Sequence, residues 1–228
     1  MATTPSLTVG IRPSQNLRVR MSTIHVSTHP LIRHKLARLR AVETKPPEFR
    51  DLVAAISRSL VYEATTDIEL RPVQITTPLT TTTCHEIAVK IGLVPVLRAG
   101  LGMAEAMLQA LPEASVWHIG LYRDHATLKP VTYYNKLPPK PDMGLAFVLD
   151  PMLATGGSAI EAINLLKKAG TPKVKFIGLI AAPEGVKALR DAHPDVPIIL
   201  AALDTHLNDV SYIVPGLGDA GDRQFGTA

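Results

Sequence analysis

Residues 147–159 read FVLDPMLATGGSA. The apolar run Phe147-Val148-Leu149 leads into Asp150 and then Pro151, Met152, Leu153 and Ala154, followed by Thr155, Gly156, Gly157 and Ser158. Ala159, Ile163 and Leu166 recur at helical spacing, so the segment reads as strand, loop, helix. Glycines let backbone N–H groups turn toward an anion, and a helix N-terminus adds partial positive charge. The hydroxyls of Thr155 and Ser158 can donate to phosphate oxygens. Asp150 cannot favour a phosphate directly and suits a ribose hydroxyl or a metal-bound water. The bland alternative is a strand-to-helix turn with no ligand.

Outward from this loop, short apolar runs alternate with helical patterns. The runs are Leu93–Leu97, Val116–Leu121, Leu145–Leu149, Phe176–Ala181 and Ile198–Leu203, with helices expected near 100–110, 156–169 and 184–191. Near-continuous apolar strands separated by helices indicate an α/β fold with a central parallel sheet flanked by helices. In such sheets ligands bind beyond the carboxyl ends of the strands. Arg98 follows Leu97, and Arg123 closes Leu121-Tyr122-Arg123. Either alone reads as a surface arginine. Two at equivalent strand ends beside a phosphate loop suggest a clamp, because the guanidinium fork pairs bidentately with phosphate.

Upstream, Ile32, Leu36 and Leu39 define one helix, and Phe49, Leu52, Val53, Ile56 and Leu60 a second that enters at Pro46-Pro47. Two helices are therefore expected before any buried strand. Residues 67–90 are β-rich, with Val73, Ile75, Leu79 and Ile87 lacking an obvious intrachain core, and read as a protruding arm. Residues 1–20 contain no acidic residue but have Arg12, Arg18 and Arg20, and read as a flexible leader before a single domain over 21–228. Segment 124–138, DHATLKPVTYYNKLP, reads as a mobile flap.

In the tail, Gly216-Leu217-Gly218-Asp219-Ala220-Gly221 matches G-x-G-x-x-G. Its closeness to the C-terminus leaves no room for the helix and strand of a dinucleotide-binding unit. A glycine-rich loop whose amides and carbonyls read the edge of a flat heterocycle is the better reading.

Composition narrows the classes. The 228 residues are 46% apolar and 19% charged, as in an ordinary globular chain. No apolar run approaches the ~18 residues of a membrane helix. The single cysteine, Cys84, excludes an intrachain disulfide framework and a cysteine-based zinc cage. A net charge of +4 with 4% aromatics is no nucleic-acid signature and fits a basic pocket for a small polyanion. His25 and His29 lack carboxylates at helical spacing, and Cys84-His85-Glu86 lies in a threonine-rich arm, so both read as structural.

The segments LVPVLRAGLGMAE (93–105), VLDPMLATGGSA (148–159) and YIVPGLGDAGDRQFGT (212–227) resemble uracil phosphoribosyltransferase, in family order, from about residue 21 onward. Many phosphoribosyltransferases open the phosphate loop with two acidic residues. Here Asp150 is followed by Pro151, which agrees with the uracil branch. The resemblance implies a type I phosphoribosyltransferase core with a β-arm at 67–90 and a small C-terminal hood at 204–228. It implies that uracil and phosphoribosyl pyrophosphate give UMP and pyrophosphate in pyrimidine salvage, with Mg2+ bound mainly through the donor. Arg98 and Arg123 would hold pyrophosphate, and residues 150–158 the ribose and its 5′-phosphate. Ile213, Gly218, Asp219 and Ala220 would bind uracil, with Asp219 also touching the donor. Asp219, Asp150 and Arg123 would carry the chemistry. A homodimer or homotetramer in the cytoplasm is expected, and the family admits a GTP effector. The rival reading is a regulatory protein of this fold that senses phosphoribosyl pyrophosphate or binds RNA. The complete uracil-type tail and the lack of a basic–aromatic patch weigh against it, and the chain has no Walker loop to make it a kinase-fusion fragment.

Overall fold

The computed structural model describes residues 24–123 and 130–227. The leader and the first part of the expected flap (124–129) lie outside the described residues. In chain order the elements are β1 (Ile24–Val26), α1 (Pro30–Arg40), α2 (Pro46–Ala64), β2 (Leu70–Thr76), β3 (Thr81–Ile87), β4 (Ile91–Leu97), α3 (Leu101–Leu108), β5 (Ser115–Val116) and β6 (Ile119–Arg123). There follow β7 (Pro130–Asn135), β8 (Leu145–Leu149), β9 (Met152–Leu153), α4 (Gly157–Lys168), β10 (Val174–Ala181), α5 (Pro183–Ala192), β11 (Ile198–Leu203), β12 (His206–Leu207), β13 (Ile213–Val214) and α6 (Ala220–Phe225).

The main sheet runs β1-β11-β10-β8-β4-β6-β7, with β5 beside β4 and β9 beside β10. All its pairings are parallel except β6–β7. The central strands β8 and β10 are buried throughout, because helices cover both faces. Strand alternation sorts the core into two layers. Leu93, Phe147, Leu149, Ile177 and Ile199 pack with α1, α2 and α3, whereas Val94, Val148, Phe176 and Leu200 pack with α4 and α5. From β4 the chain crosses to β6 on one side, while β8 leads to β10 and β11 on the other. The neighbours β4 and β8 are thus the point where the winding reverses, and in open sheets of this kind ligands bind beyond the carboxyl ends at such a point.

A short half-buried strand, β1, precedes both N-terminal helices and pairs with β11; its three residues are too few to show a period, and the first buried strand, β4, follows both helices as expected. One expectation needs correction. The run Val116–Leu121 is broken into β5 and β6 around Trp117. Both pieces keep one register on β4, Leu93 facing Val116 and Val96 facing Ile119, and Trp117 N still donates to the Leu93 carbonyl at 2.9 Å. Within the expected flap, residues 130–135 form β7, an antiparallel edge strand on β6.

The β-rich segment folds as a separate hairpin, β2 on β3, with Val73 opposite Cys84. Leu70 and Ile87 are exposed as an opposed pair on one face, Ile75 is exposed on the other, and Leu79 at the tip is 96% exposed. Among the described residues, no helix is long and apolar enough to cross a membrane.

Candidate active site

The loop after β8 is an interrupted strand. Ala146 to Leu149 pair with Val174 to Ile177, and Met152-Leu153 pair with Ile180-Ala181 in the same register. Only Asp150-Pro151 leave the ladder, with the Pro151 carbonyl taking the N–H groups of Leu179 and Ile180 at 3.1 and 3.0 Å. Asp150 is thereby turned out of the sheet at its carboxyl edge, and its Oδ1 accepts the Met152 N–H at 3.2 Å.

Beyond β9 the chain enters α4 through Gly156, whose φ of +85° is left-handed, so glycine is required there. No side chain caps the helix, so its first N–H groups stay available to an anion. Asp150 and residues 152–159 line a small cup of about 80 Å3. The first turn of α5 packs against the backbone of this loop. A Cβ on Gly185 would meet the Ala154 carbonyl oxygen at 2.3 Å and that of Leu153 at 2.6 Å.

Arg98 stands at the carboxyl end of β4, after a cis Leu97–Arg98 peptide. Its side chain is more than half exposed and donates to Asp222 Oδ1 at 3.1 Å. Gly100 lets the loop close onto β8, because a Cβ there would sit 2.3 Å from the Leu149 carbonyl oxygen. Arg123 ends β6 opposite Pro130; its side chain lies outside the described part.

The tail forms a lid over this edge. The β12–β13 hairpin leads through a cis Val214–Pro215 peptide to Gly216 and Gly218, both at positive φ, and then to α6. The tail thus makes a six-residue helix that the sequence pattern does not announce. Asp219 caps α6, its Oδ1 accepting the Asp222 N–H at 2.9 Å. Ile213 is buried, and Ala220 is fully buried in the helix-side core with its carbonyl accepting from Gln224 Nε2 at 3.0 Å. The φ of Gly218 is +76°, and a Cβ placed there would have Arg223 Cδ as its nearest neighbour at 3.4 Å, so a larger side chain would strain the backbone.

Burial pushes the Asp150 carboxyl up to about 7. The Met152 N–H opposes this, and the Asp219 carboxylate adds to it. Asp150 and Asp219, 69 residues apart in the sequence, therefore lie within electrostatic reach of one another.

Several positioning residues escaped sequence reading. Arg40, at the end of α1, holds Asp204 through both nitrogens at 2.8 and 2.5 Å and also donates to the Gly216 carbonyl at 2.6 Å. Buried Asp204 accepts the Gly216 N–H at 2.9 Å in return. Arg223 stacks on Phe49 at 4.5 Å and donates to the carbonyls of Leu39, Ala41 and Leu217. Gln224 donates to the Ala99 carbonyl at 2.9 Å and fixes α6 on the loop after β4. No local signal marks these residues, since most of their partners lie more than 120 positions away.

The two histidines and the arm cysteine have structural surroundings. His25 bonds Glu63 at 2.6 Å, His29 caps α1, and Cys84 lies in β3.

The family model described as uracil phosphoribosyltransferase matches residues 26–227, which includes every element of this site. The chain belongs to the uracil phosphoribosyltransferase family. It is 62% identical over 207 residues to the uracil phosphoribosyltransferase of Roseiflexus castenholzii, covering 91% of this chain and all of that one. It is 57% identical over 208 residues to the enzyme of the same name from Macrococcus caseolyticus, with 91% and 100% covered. Among solved structures, the AQ2163 protein of Aquifex aeolicus superposes with a TM-score of 0.85 at 38% identity, over 90% of this chain and 99% of that one. The family's reaction joins uracil to the phosphoribosyl group of phosphoribosyl pyrophosphate, giving UMP and pyrophosphate in pyrimidine salvage. Membership favours this enzymatic reading over a regulatory one.

Proposed function

We propose that this chain divides the uracil phosphoribosyltransferase reaction among the strand ends described above. The donor's 5′-phosphate sits in the cup of residues 152–159, against the uncapped start of α4 and the hydroxyls of Thr155 and Ser158. Asp150 accepts hydrogen bonds from the ribose hydroxyls. Arg98 and Arg123 hold the pyrophosphate. Backbone groups around Ile213, Gly218 and Ala220 read the uracil edge, and Asp219 lies between base and donor. The observation that carries this reading is the contact of the tail with a strand end: Arg98 donates to Asp222 and Gln224 to the Ala99 carbonyl, so α6 is pinned to the loop after β4.

The chemistry follows from charge. As the C1–oxygen bond breaks, its electron pair leaves with pyrophosphate, and the two arginines stabilise that negative charge. Positive charge builds on the ribose ring, where Asp150 lies on the protein side. Uracil N1 forms the new bond to C1 from the opposite face, and its proton is taken up or shared by Asp219.

The residues fit a divalent cation that arrives with the donor. Among the described residues no cluster of three His, Cys, Asp or Glu side chains could hold a metal by itself. Two neighbouring carboxylates, Asp150 and Asp219, suit a water-mediated hold on a hard cation such as Mg2+. The bound ion would neutralise charge on the leaving pyrophosphate.

The exposed apolar side chains of the arm support an oligomer, a dimer at least, since Leu70, Ile75, Leu79 and Ile87 find no cover among the described residues.

The test is a base panel with phosphoribosyl pyrophosphate and Mg2+, scoring pyrophosphate release and UMP. Uracil should react, with cytosine, hypoxanthine and orotate poor. A donor facing a donor costs about 1–3 kcal/mol per buried group, and polar-edge readout discriminates by up to about 10⁴-fold. Cytosine or a purine reacting as well as uracil would remove the hood from the reading. GTP added to the same assay checks the effector response that the family admits.

A further inference from the structure

Asp222 is not among the residues assigned above to either substrate, yet it touches both sides of the site. Its Oδ1 accepts from Arg98 Nη2 at 3.1 Å and from the Thr227 hydroxyl at 2.6 Å. Its backbone N–H donates to Asp219 Oδ1 at 2.9 Å. Arg98 therefore reaches the hood helix through one carboxylate, and that carboxylate belongs to a residue one hydrogen bond from the acid placed between base and donor. The Arg98–Asp222 pair is single and solvent-facing, with side chains 55% and 34% exposed. Such a contact is weak enough to be exchanged. A pyrophosphate oxygen would offer the same guanidinium a stronger, charge-assisted partner.

We propose that Asp222 is a positioning residue that competes with pyrophosphate for Arg98. With the site empty, the carboxylate holds the guanidinium against α6 and prevents an unpaired cation at the strand end. When pyrophosphate binds, Arg98 exchanges Asp222 for phosphate oxygens. When product pyrophosphate departs, Asp222 recaptures the guanidinium and so favours release. The inference rests on the reading that Arg98 holds the pyrophosphate.

The experiment is calorimetric titration of magnesium pyrophosphate into the full chain without uracil, for wild type, Asp222→Asn, Asp222→Glu and Thr227→Val. Asp222→Asn keeps a hydrogen-bonding acceptor for Thr227 but removes the charge. It should bind pyrophosphate about two- to fivefold more tightly, the span expected of an exposed ion pair, and should show correspondingly stronger product inhibition. Asp222→Glu should restore wild-type affinity. Thr227→Val removes the other contact on Oδ1 without changing charge and should bind as wild type. In an Arg98→Ala background the gain from Asp222→Asn should shrink, since the competition has lost its object. Equal or weaker pyrophosphate binding by Asp222→Asn, or a gain reproduced by Thr227→Val, overturns the proposal. Should Asp222→Asn unfold the tail, the contrast between Asp222→Glu and wild type in 50 and 300 mM salt decides instead: a weaker salt dependence in the Glu variant contradicts competition by charge. A wild-type protein that makes no UMP defeats the broader functional reading. A wild type that makes UMP, with Asp222→Asn unchanged in pyrophosphate binding, defeats this inference alone.

Discussion

Gly185→Ala sets two magnitudes against each other. Gly185 lies in the first turn of α5, where alanine is a better helix former by up to about 1 kcal/mol. Propensity alone therefore predicts a slightly more stable protein. The packing predicts the opposite. The added methyl carbon would lie 2.3 Å from the Ala154 carbonyl oxygen and 2.6 Å from that of Leu153, inside contact distance of two backbone atoms that cannot rotate away. Relief requires the loop under the phosphate cup to move by about 1 Å. Overpacking of this kind costs about 1–3 kcal/mol, and a 1 Å misplacement in an active site can cost about 10²-fold in rate. The expected outcome is a loss of about ten- to hundredfold in kcat/KM for phosphoribosyl pyrophosphate, with the KM for uracil changed far less. Gly170→Ala is the control. Gly170 has a left-handed φ, +91°, but a Cβ there meets nothing within 4 Å, so the substitution strains the backbone without touching the site. It should lower Tm with donor kinetics unchanged. Steady-state kinetics with each substrate varied, and thermal denaturation of both variants, make the comparison. Wild-type donor kinetics in Gly185→Ala would refute the claim that α5 supports the phosphate loop.

Other expectations follow from the same geometry. Asp150→Asn should gain Tm relative to wild type as pH rises from 5 to 8. The native carboxyl, raised to about 7, favours folding below the unfolded value near 4 and loses that contribution as pH rises through 7, at about 1.4 kcal/mol per pKa unit; a Tm difference independent of pH contradicts this. Asp204→Ala strands the Arg40 guanidinium and should cost about 3–5 kcal/mol, whereas Arg40→Met with Asp204→Leu should recover much of it in denaturant titrations. Arg98→Ala should lower donor efficiency about tenfold, checked by varying phosphoribosyl pyrophosphate at saturating uracil. Leu79→Asp with Ile87→Asp should shift the mass seen by light scattering toward a monomer, and a fully active wild-type monomer at micromolar concentration would contradict the arm's proposed role.

What the sequence made legible was local. Continuous apolar runs marked the buried strands because both faces of β8 and β10 are covered, and Pro46-Pro47 marked the start of α2. The Asp150–Ser158 loop showed itself because a strand, two glycines and a helix adjoin in the chain. The long-range residues left no such trace. Arg40 looks like any arginine on a helix flank until Asp204 is brought to it from across the fold, and Arg223 acquires a role only from the carbonyls of Leu39 and Ala41. The break at Trp117 was hidden because the register on β4 continues through it. Asp222 carries no mark in the sequence, and only the fold places it in the first turn of α6 beside Arg98.

The unbroken register on either side of Asp150-Pro151 bears on how this enzyme can be altered. Because β8 and β9 keep step on β10, two residues, no more and no fewer, span the gap opposite Gly178-Leu179. Adding or deleting one residue would slide Met152-Leu153 along β10 and turn their side chains to opposite faces. Chain length is therefore a rigid variable here in its own right, beside the role proposed for Asp150 and the glycine required at 156. Libraries aimed at a new nucleobase should hold 149–157 at fixed length and place insertions in the hairpin turn at 208–211, whose backbone bonds are made within the turn itself.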